Sequence, residues 1–324
     1  MNSSSILLAL TAVMAVGCAE AQPDPVPRPV VDLEAVPYET LSEYGFFAGD
    51  MVLEQPAPGV TPYTVAAPLW ADAAGKGRYF FLPEDEGLTI TERDAWDVPL
   101  GSVFIKSFFI DRDRSNPGTD LFTVETRLLV LEADRWHSYI YRWDDEQTEA
   151  TRIKAGAEVI VPYIDADGAS AEQLYIIPDE NTCGSCHERD DVLQLLGPTT
   201  AQLNTPVERD GEMVDQLRWL EEQGVLADAL PDPAGLQAYP DPAGDGDLDA
   251  RARAYLHGNC AHCHRPGGGG GASGLSFLEW ETNPAEFGVC KVPAAAGPGA
   301  GGRDFDIVPG HPEQSIVTHR MAST

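Results

Sequence analysis

Two pentapeptides constrain this chain more than any other feature: Cys183-Gly184-Ser185-Cys186-His187 and Cys260-Ala261-His262-Cys263-His264. Each is a C-x-x-C-H sequence. Two thiols three residues apart on one helical turn can reach both vinyl groups along one edge of a porphyrin. The histidine that follows then lies beneath the ring and can coordinate its iron. Paired zinc-ribbon knuckles usually sit about 15–20 residues apart, and these two pairs are far more distant. A thioredoxin-like thiol pair needs a βαβ setting, which neither pair has. Neither rival accounts for the histidine at the same place in both motifs. The expected cofactors are therefore two covalent haem c groups, with thioethers at Cys183, Cys186, Cys260 and Cys263 and iron ligation by His187 and His264.

Haem attachment of this kind takes place outside the bacterial cytoplasm, and the N-terminus agrees. Ile6 to Val16 form an apolar run of signal-peptide length, too short to span a bilayer. Ala15-Val16-Gly17-Cys18 reads as a lipobox that would make Cys18 a lipidated mature N-terminus; cleavage after Ala19-Glu20-Ala21 is the competing reading. No Lys or Arg precedes Arg28, although such leaders usually begin positive. The expected location is the periplasm or outer membrane, with a lipid anchor. With Cys18 assigned to lipid and four cysteines to haem, only Cys290 is left, read as a buried structural thiol.

Charge narrows the partners. Fifty-two acidic residues against 21 basic ones give a formal charge of −31. Such a surface cannot neutralise phosphates, which argues against nucleic acid. It suits a redox partner protein with a basic docking surface, or simply keeps the chain soluble.

The chain divides by texture. Residues 1–18 are the leader, and 19–36 a Pro-rich tether. Residues 37–170 carry aromatic and β-branched runs punctuated by Gly, Pro, Asp and Asn: Thr61 to Val65, Arg78 to Leu82, Ser102 to Ile110, Leu121 to Leu131, His137 to Trp143 and Glu158 to Tyr163. This pattern predicts an all-β, sandwich-like N-terminal domain. Lys106, within one of those strands, reads as an edge lysine with its charge snorkelling to water. Trp70, Trp96, Trp136 and Trp143 are core residues or, on a third reading, a platform for carbohydrate or protein.

Beyond that domain the texture predicts two small α-helical, cytochrome c-type haem modules at 171–235 and 236–324. The expected helices are Asp191 to Leu196, Glu212 to Leu226 and Leu248 to Gly258, the last capped by Asp247, with another after Pro312. Gly267 to Gly271 reads as a loose surface loop. Modules so small seldom build a core alone, and a porphyrin plate would supply one. The distal iron ligands considered are Met321 and Met213, with His257, His262, His311 and His319 as alternatives. Met213 also fits a core stripe with Leu217 and Leu220.

Segments outside the motifs carry a resemblance. Leu41-Ser42-Glu43-Tyr44-Gly45-Phe46-Phe47, Pro68-Leu69-Trp70-Ala71-Asp72, Trp96-Asp97-Val98-Pro99-Leu100-Gly101-Ser102, Glu125-Thr126-Arg127-Leu128-Leu129, Leu196-Gly197-Pro198, Gln202-Leu203-Asn204, Ala252-Arg253-Ala254-Tyr255-Leu256 and Ile307-Val308-Pro309-Gly310 resemble a family of exported bacterial dihaem c-type cytochromes with a β-rich N-terminal domain. The resemblance implies two covalent haems and electron transfer, with no assigned substrate, and places His187 and His264 at the proximal positions. It also implies a continuation beyond Arg320-Met321 to a Met-Pro segment, whose methionine would serve the second haem in place of Met321. The expected role is one-electron transfer at the cell envelope. A dihaem redox enzyme, peroxidase-like or the haem subunit of a dehydrogenase, is the alternative, and it would need an iron with an open distal site.

Overall fold

The computed structural model describes residues 25–323; Cys18 and the leader lie outside the described residues. The short pairs β1 (Phe47–Ala48) and β2 (Gln55–Pro56) precede the central sheet. That sheet is a six-stranded antiparallel meander of β3 (Val60–Pro62), β4 (Gly75–Phe81), β5 (Val103–Asp111), β6 (Leu121–Leu131), β7 (Trp136–Trp143) and β8 (Ala150–Ile153). Alternation fixes its two faces. In β5, Val103 and Ile105 enter a core with Leu128, Tyr141 and Trp143, roofed by Leu41, Tyr44 and Phe46. Polar groups buried there are paired: Trp143 Nε1 donates to Thr126 Oγ1 at 3.0 Å, and Tyr141 Oη donates to the Tyr38 carbonyl at 2.8 Å.

Phe104, Lys106 and Phe108 point to the opposite face, which holds two cores. At one end Phe80, Phe104 and Trp96 pack with Leu203, Leu217 and Leu220 from the C-terminal half. At the other, Phe108, Ile110 and Ile140 are covered by the hairpin of β9 (Ala157–Ile164) and β10 (Ser170–Ile177), with Cys183 at its border. Part of the expected tether is docked: Arg28 donates to the Leu82 carbonyl at 2.7 Å, and Val31, Leu33 and Val36 lie against the first core.

The expected pair of α-helical haem modules is not what forms. Among the described residues the chain has fourteen strands and five α-helices: α1 (Gly184–His187), α2 (Thr200–Leu203), α3 (Gln216–Glu222), α4 (Leu248–Cys260) and α5 (Ile316–Ala322). Only α4, with 13 residues, exceeds two turns. Short helices nucleate poorly, and the dense Gly and Pro of this half interrupt them further. Two expected helices give way to hairpins. Asp191 to Leu196 becomes part of β11 (Glu188–Arg189) and β12 (Val192–Leu193), joined through Asp190 and Asp191, both at positive φ. Glu212 to Leu226 is split between β14 (Glu212–Asp215), paired with β13 (Pro206–Arg209), and α3. Asp210 and Gly211, at φ 53° and 82°, form the tight turn that Asp-Gly favours between strands. Asp247 does cap α4, its side chain accepting from Ala250 N at 3.0 Å.

This rearrangement decides Met213. Leu217 and Leu220 are fully buried, whereas Met213 on β14 is 66% exposed. Leu217→Ala should cost about 2–5 kcal/mol, as large-to-small core changes do, and Met213→Ala close to nothing. Denaturant unfolding of the two variants compares them directly; a larger loss from Met213→Ala would contradict this packing.

Two further readings are corrected. Lys106 lies on a central strand, not at an edge, facing Arg78 across β4 and Arg127 across β6. Cys290 is exposed rather than buried.

Candidate functional site

The first motif stands on a short, well-anchored turn. Asp179 accepts from Thr182 N at 3.1 Å and from its hydroxyl at 3.0 Å, which caps the 3-10 turn Glu180–Cys183 leading into α1. Arg152 of β8 grips Glu180 with two hydrogen bonds of 3.1 and 3.0 Å. The chain then runs through the β11–β12 hairpin, which returns Gln194 to His187. Gln194 N donates to the His187 carbonyl at 2.7 Å, and the imidazole Nδ1 lies 3.0 Å from the Gln194 carbonyl. A carbonyl only accepts, so Nδ1 carries the proton and Nε2 keeps its lone pair. Burial pushes the His187 pKa down to about 4, which leaves the ring neutral. A neutral imidazole whose other nitrogen is held by a backbone carbonyl is the donor a metal or haem iron requires.

The second motif reaches the same state by a different route. It starts in the last residue of α4 and turns back, His264 N donating to the Cys260 carbonyl at 2.8 Å. The imidazole Nδ1 lies 3.0 Å from Ser273 Oγ. That hydroxyl spends its proton on the Gly270 carbonyl at 2.6 Å, so it accepts from His264 and again leaves Nε2 free. The ring stands edge-on to Phe277, centroids 5.4 Å apart. The glycine run is not a loose loop. Gly270 N donates to the Cys263 carbonyl at 2.9 Å, and a Cβ there would sit 3.0 Å from both that oxygen and His264 Nδ1. That is closer than side chains ordinarily pack, so glycine is favoured there.

The fold brings the two motifs into contact. Cys263 Sγ lies 3.4 Å from the Ser185 carbonyl, 78 residues earlier in the chain. Cys186 Sγ, Cys263 Sγ and a nitrogen of His262 all lie within 4.8 Å of one another. Burial pushes the Cys260 thiol up to about 11 and raises Cys263 as well, which keeps both protonated.

Beside them opens a cavity of about 460 Å³, within the usual range for an organic cofactor or ligand. Cys186 and His187 form part of its wall, faced by the indoles of Trp96, Trp136 and Trp280. His262 and His257 also line it. His257 Nδ1 accepts from Glu279 N at 3.1 Å, so its proton is on Nε2, and its ring is held between Tyr239 and Trp280. His262 makes no hydrogen bond among the described residues. Met213 and Met321 are both exposed, at 66% and 53%, and neither lines this cavity. A larger cleft of about 880 Å³, between Arg28, Gly87 and Gln223, contains neither motif.

The chain matches no known family model, no curated protein and no solved structure.

The donor set fits the expected group at both motifs. Each supplies two thiols and a neutral imidazole with Nδ1–H engaged; Cys186 and His187 line the cavity that holds Trp96, Trp136 and Trp280, Cys183 borders the core under the β9–β10 hairpin, and Phe277 and Phe287 flank His264. Those six residues are the ones the sequence singles out. It leaves out Gln194 and Ser273, which orient the two imidazoles. No local signal marks either, because each is recruited by a turn that the sequence reading did not contain.

Proposed function

We propose that the protein is a dihaem c-type cytochrome that passes single electrons at the cell envelope. The observation that carries this reading is the matched state of His187 and His264. Each directly follows a Cys-x-x-Cys pair, each engages Nδ1–H with a fixed acceptor, and each keeps Nε2 free. The haem iron, when bound, supplies the one-electron couple. The protein's part is to orient the imidazoles, hold the four thiols for attachment and exclude water. The meeting of Cys186 with Cys263 supports electron exchange between the two centres within one molecule. The redox partner on this reading presents a basic docking surface to a chain of charge −31. A lipid on Cys18 would hold the protein at the membrane.

The test is cofactor load. The full chain, matured in a host with a cytochrome c assembly system, should carry two haems that resist acid–acetone extraction. Cys183→Ala and Cys260→Ala should each weaken one attachment. Stoichiometric zinc on Cys186, His262 and Cys263, with no covalent haem, would end the proposal.

A second reading, a dihaem redox enzyme, draws on one observation: the cavity beside His187 has no methionine in its wall. An enzyme of peroxidase type needs an iron position open to substrate. Rapid carbon monoxide binding by the reduced protein together with fast peroxide turnover would favour it. Low-spin ferric spectra and slow carbon monoxide binding are expected of the carrier.

A further inference from the structure

Two residues in the wall of the cavity beside His187 each hold a buried polar atom with no hydrogen-bond partner: Thr199 Oγ1 and Arg265 Nε. Native folds rarely leave such groups unpaired, and each instance asks for a partner. Thr199 is 7% exposed. It holds the N-cap position of α2 with extended backbone, where a threonine ordinarily turns its hydroxyl onto a helix N–H; here no such bond forms. Arg265 directly follows the second motif, yet lines the cavity that belongs to the first. Its Nη2 stands 3.7 Å from Asp94, an exposed carboxylate that also lies 4.0 Å from Arg189, and Nε takes no part in that contact.

The chemistry of the two atoms narrows the occupant. A guanidinium Nε–H only donates, and a hydroxyl can donate beside it, so the matching group is an acceptor with negative charge. Arg93, Arg189 and Arg265 all line the cavity, together with the acids Asp94, Asp97 and Glu188. The wall also holds Trp96, Trp136, Trp280, Leu131, Leu195 and Leu196, and His187 lines it. An occupant satisfying all of this is flat and apolar, coordinates an imidazole and carries a carboxylate.

We propose that Arg265 and Thr199 form a carboxylate subsite that takes a propionate of the haem attached through Cys183, Cys186 and His187. The second motif thereby supplies an anchor for the first haem, and the two sites are built as one unit. This inference rests on the dihaem reading. It goes beyond it by assigning two residues outside both motifs to one of the two haems.

The experiment compares the full-length haem-loaded wild type with Arg265→Gln and the near-isosteric Thr199→Val. Redox titration resolves the two haems, and resonance Raman spectra report the propionate bending modes. Removing the cation beside a propionate leaves its negative charge uncompensated and favours the ferric iron. The expected result is a lower potential for one haem in Arg265→Gln, with a smaller shift in the same direction for Thr199→Val. A propionate mode should move in both variants, and the second haem should keep its potential. Thr199→Val, with almost unchanged volume, stands alone as the test if Arg265→Gln fails to fold. Two intact haems with unmoved potentials and Raman modes overturn the subsite and leave the dihaem reading standing. A wild type without covalent haem overturns both. Should added acetate or benzoate shift the wild-type spectrum, and Arg265→Gln abolish that shift, the subsite takes a diffusible acid and the propionate assignment falls.

Discussion

Glu125→Gln should destabilise the protein by about 3–5 kcal/mol, the range for removing one partner of a buried ion pair. Glu125 is completely buried on β6. It accepts from Arg127 Nε at 2.9 Å and Nη2 at 2.5 Å, and from Tyr175 Oη at 2.7 Å. Arg127 lies over the Phe108 ring, 4.4 Å from its centroid, and 31% of its side chain is exposed, so Glu125 is the fully buried partner of the pair. Glutamine keeps the shape but removes the charge, leaving a partly buried cation unpaired beside Lys106, its cross-strand neighbour. The hydrogen bond from Tyr175 also ties β10 to the sheet, so the β9–β10 hairpin and the border at Cys183 should loosen with it. Guanidinium unfolding of the two proteins gives the number. Glu125→Leu combined with Arg127→Leu should recover much of the loss, because no orphaned charge then remains. A cost below about 1 kcal/mol for Glu125→Gln would show that water reaches the pair.

The sheet could be read from the sequence because its information is local. Ser102 to Ile110, Leu121 to Leu131 and His137 to Trp143 are runs rich in aromatic and β-branched residues, and they appear as β5, β6 and β7 with ends shifted by at most one residue. The motifs were legible for the same reason, since C-x-x-C-H is a spacing and nothing more. The C-terminal half was misread where two local signals competed. Met213, Leu217 and Leu220 recur at helical spacing, whereas Asp210-Gly211 just before them sets a hairpin turn. The turn prevailed because Leu217 and Leu220 alone suffice to fasten α3 to the core of Phe104 and Trp96. Likewise Ser170 to Ile177 became a strand because β9 offers it an antiparallel partner along its whole length.

What no local pattern contains is the juxtaposition. That Cys186 meets Cys263, that Gln194 and Ser273 orient the two imidazoles, and that Arg265 enters the other motif's cavity all depend on long-range packing. The expectation of two separate helical modules kept the motifs apart. The fold instead seats both against one face of one sheet, sharing the cavity wall of Trp136 from β7 and His262 from the second motif.

Lys106 shows the same dependence and gives a pH-dependent prediction. It stands in a cross-strand row, Arg78–Lys106–Arg127, and forms no ion pair among the described residues; the carboxylate of Glu125 is taken by Arg127. Burial, with Arg78, Arg127 and Lys76 nearby, pushes its pKa from 10.5 down to about 7. The unfolded chain holds the lysine proton up to about pH 10.5, whereas the folded chain releases it near pH 7. Between those values the unfolded state binds more protons, so this group makes stability rise with pH, by at most about 1.4 kcal/mol per unit. Below pH 7 the folded protein carries the whole cost of a buried ammonium. Lys106→Met keeps the length and removes the charge. It should therefore be more stable than the wild type at pH 6 by several kcal/mol, on the order of 3–5, and the advantage should shrink steadily towards pH 10. Denaturant midpoints of both proteins at pH 6, 8 and 10 isolate the effect, because every other titrating group is common to the two. An advantage that stays constant across that range would mean that Lys106 keeps its charge solvated in the folded protein, and would return it to the snorkelling role its sequence suggests.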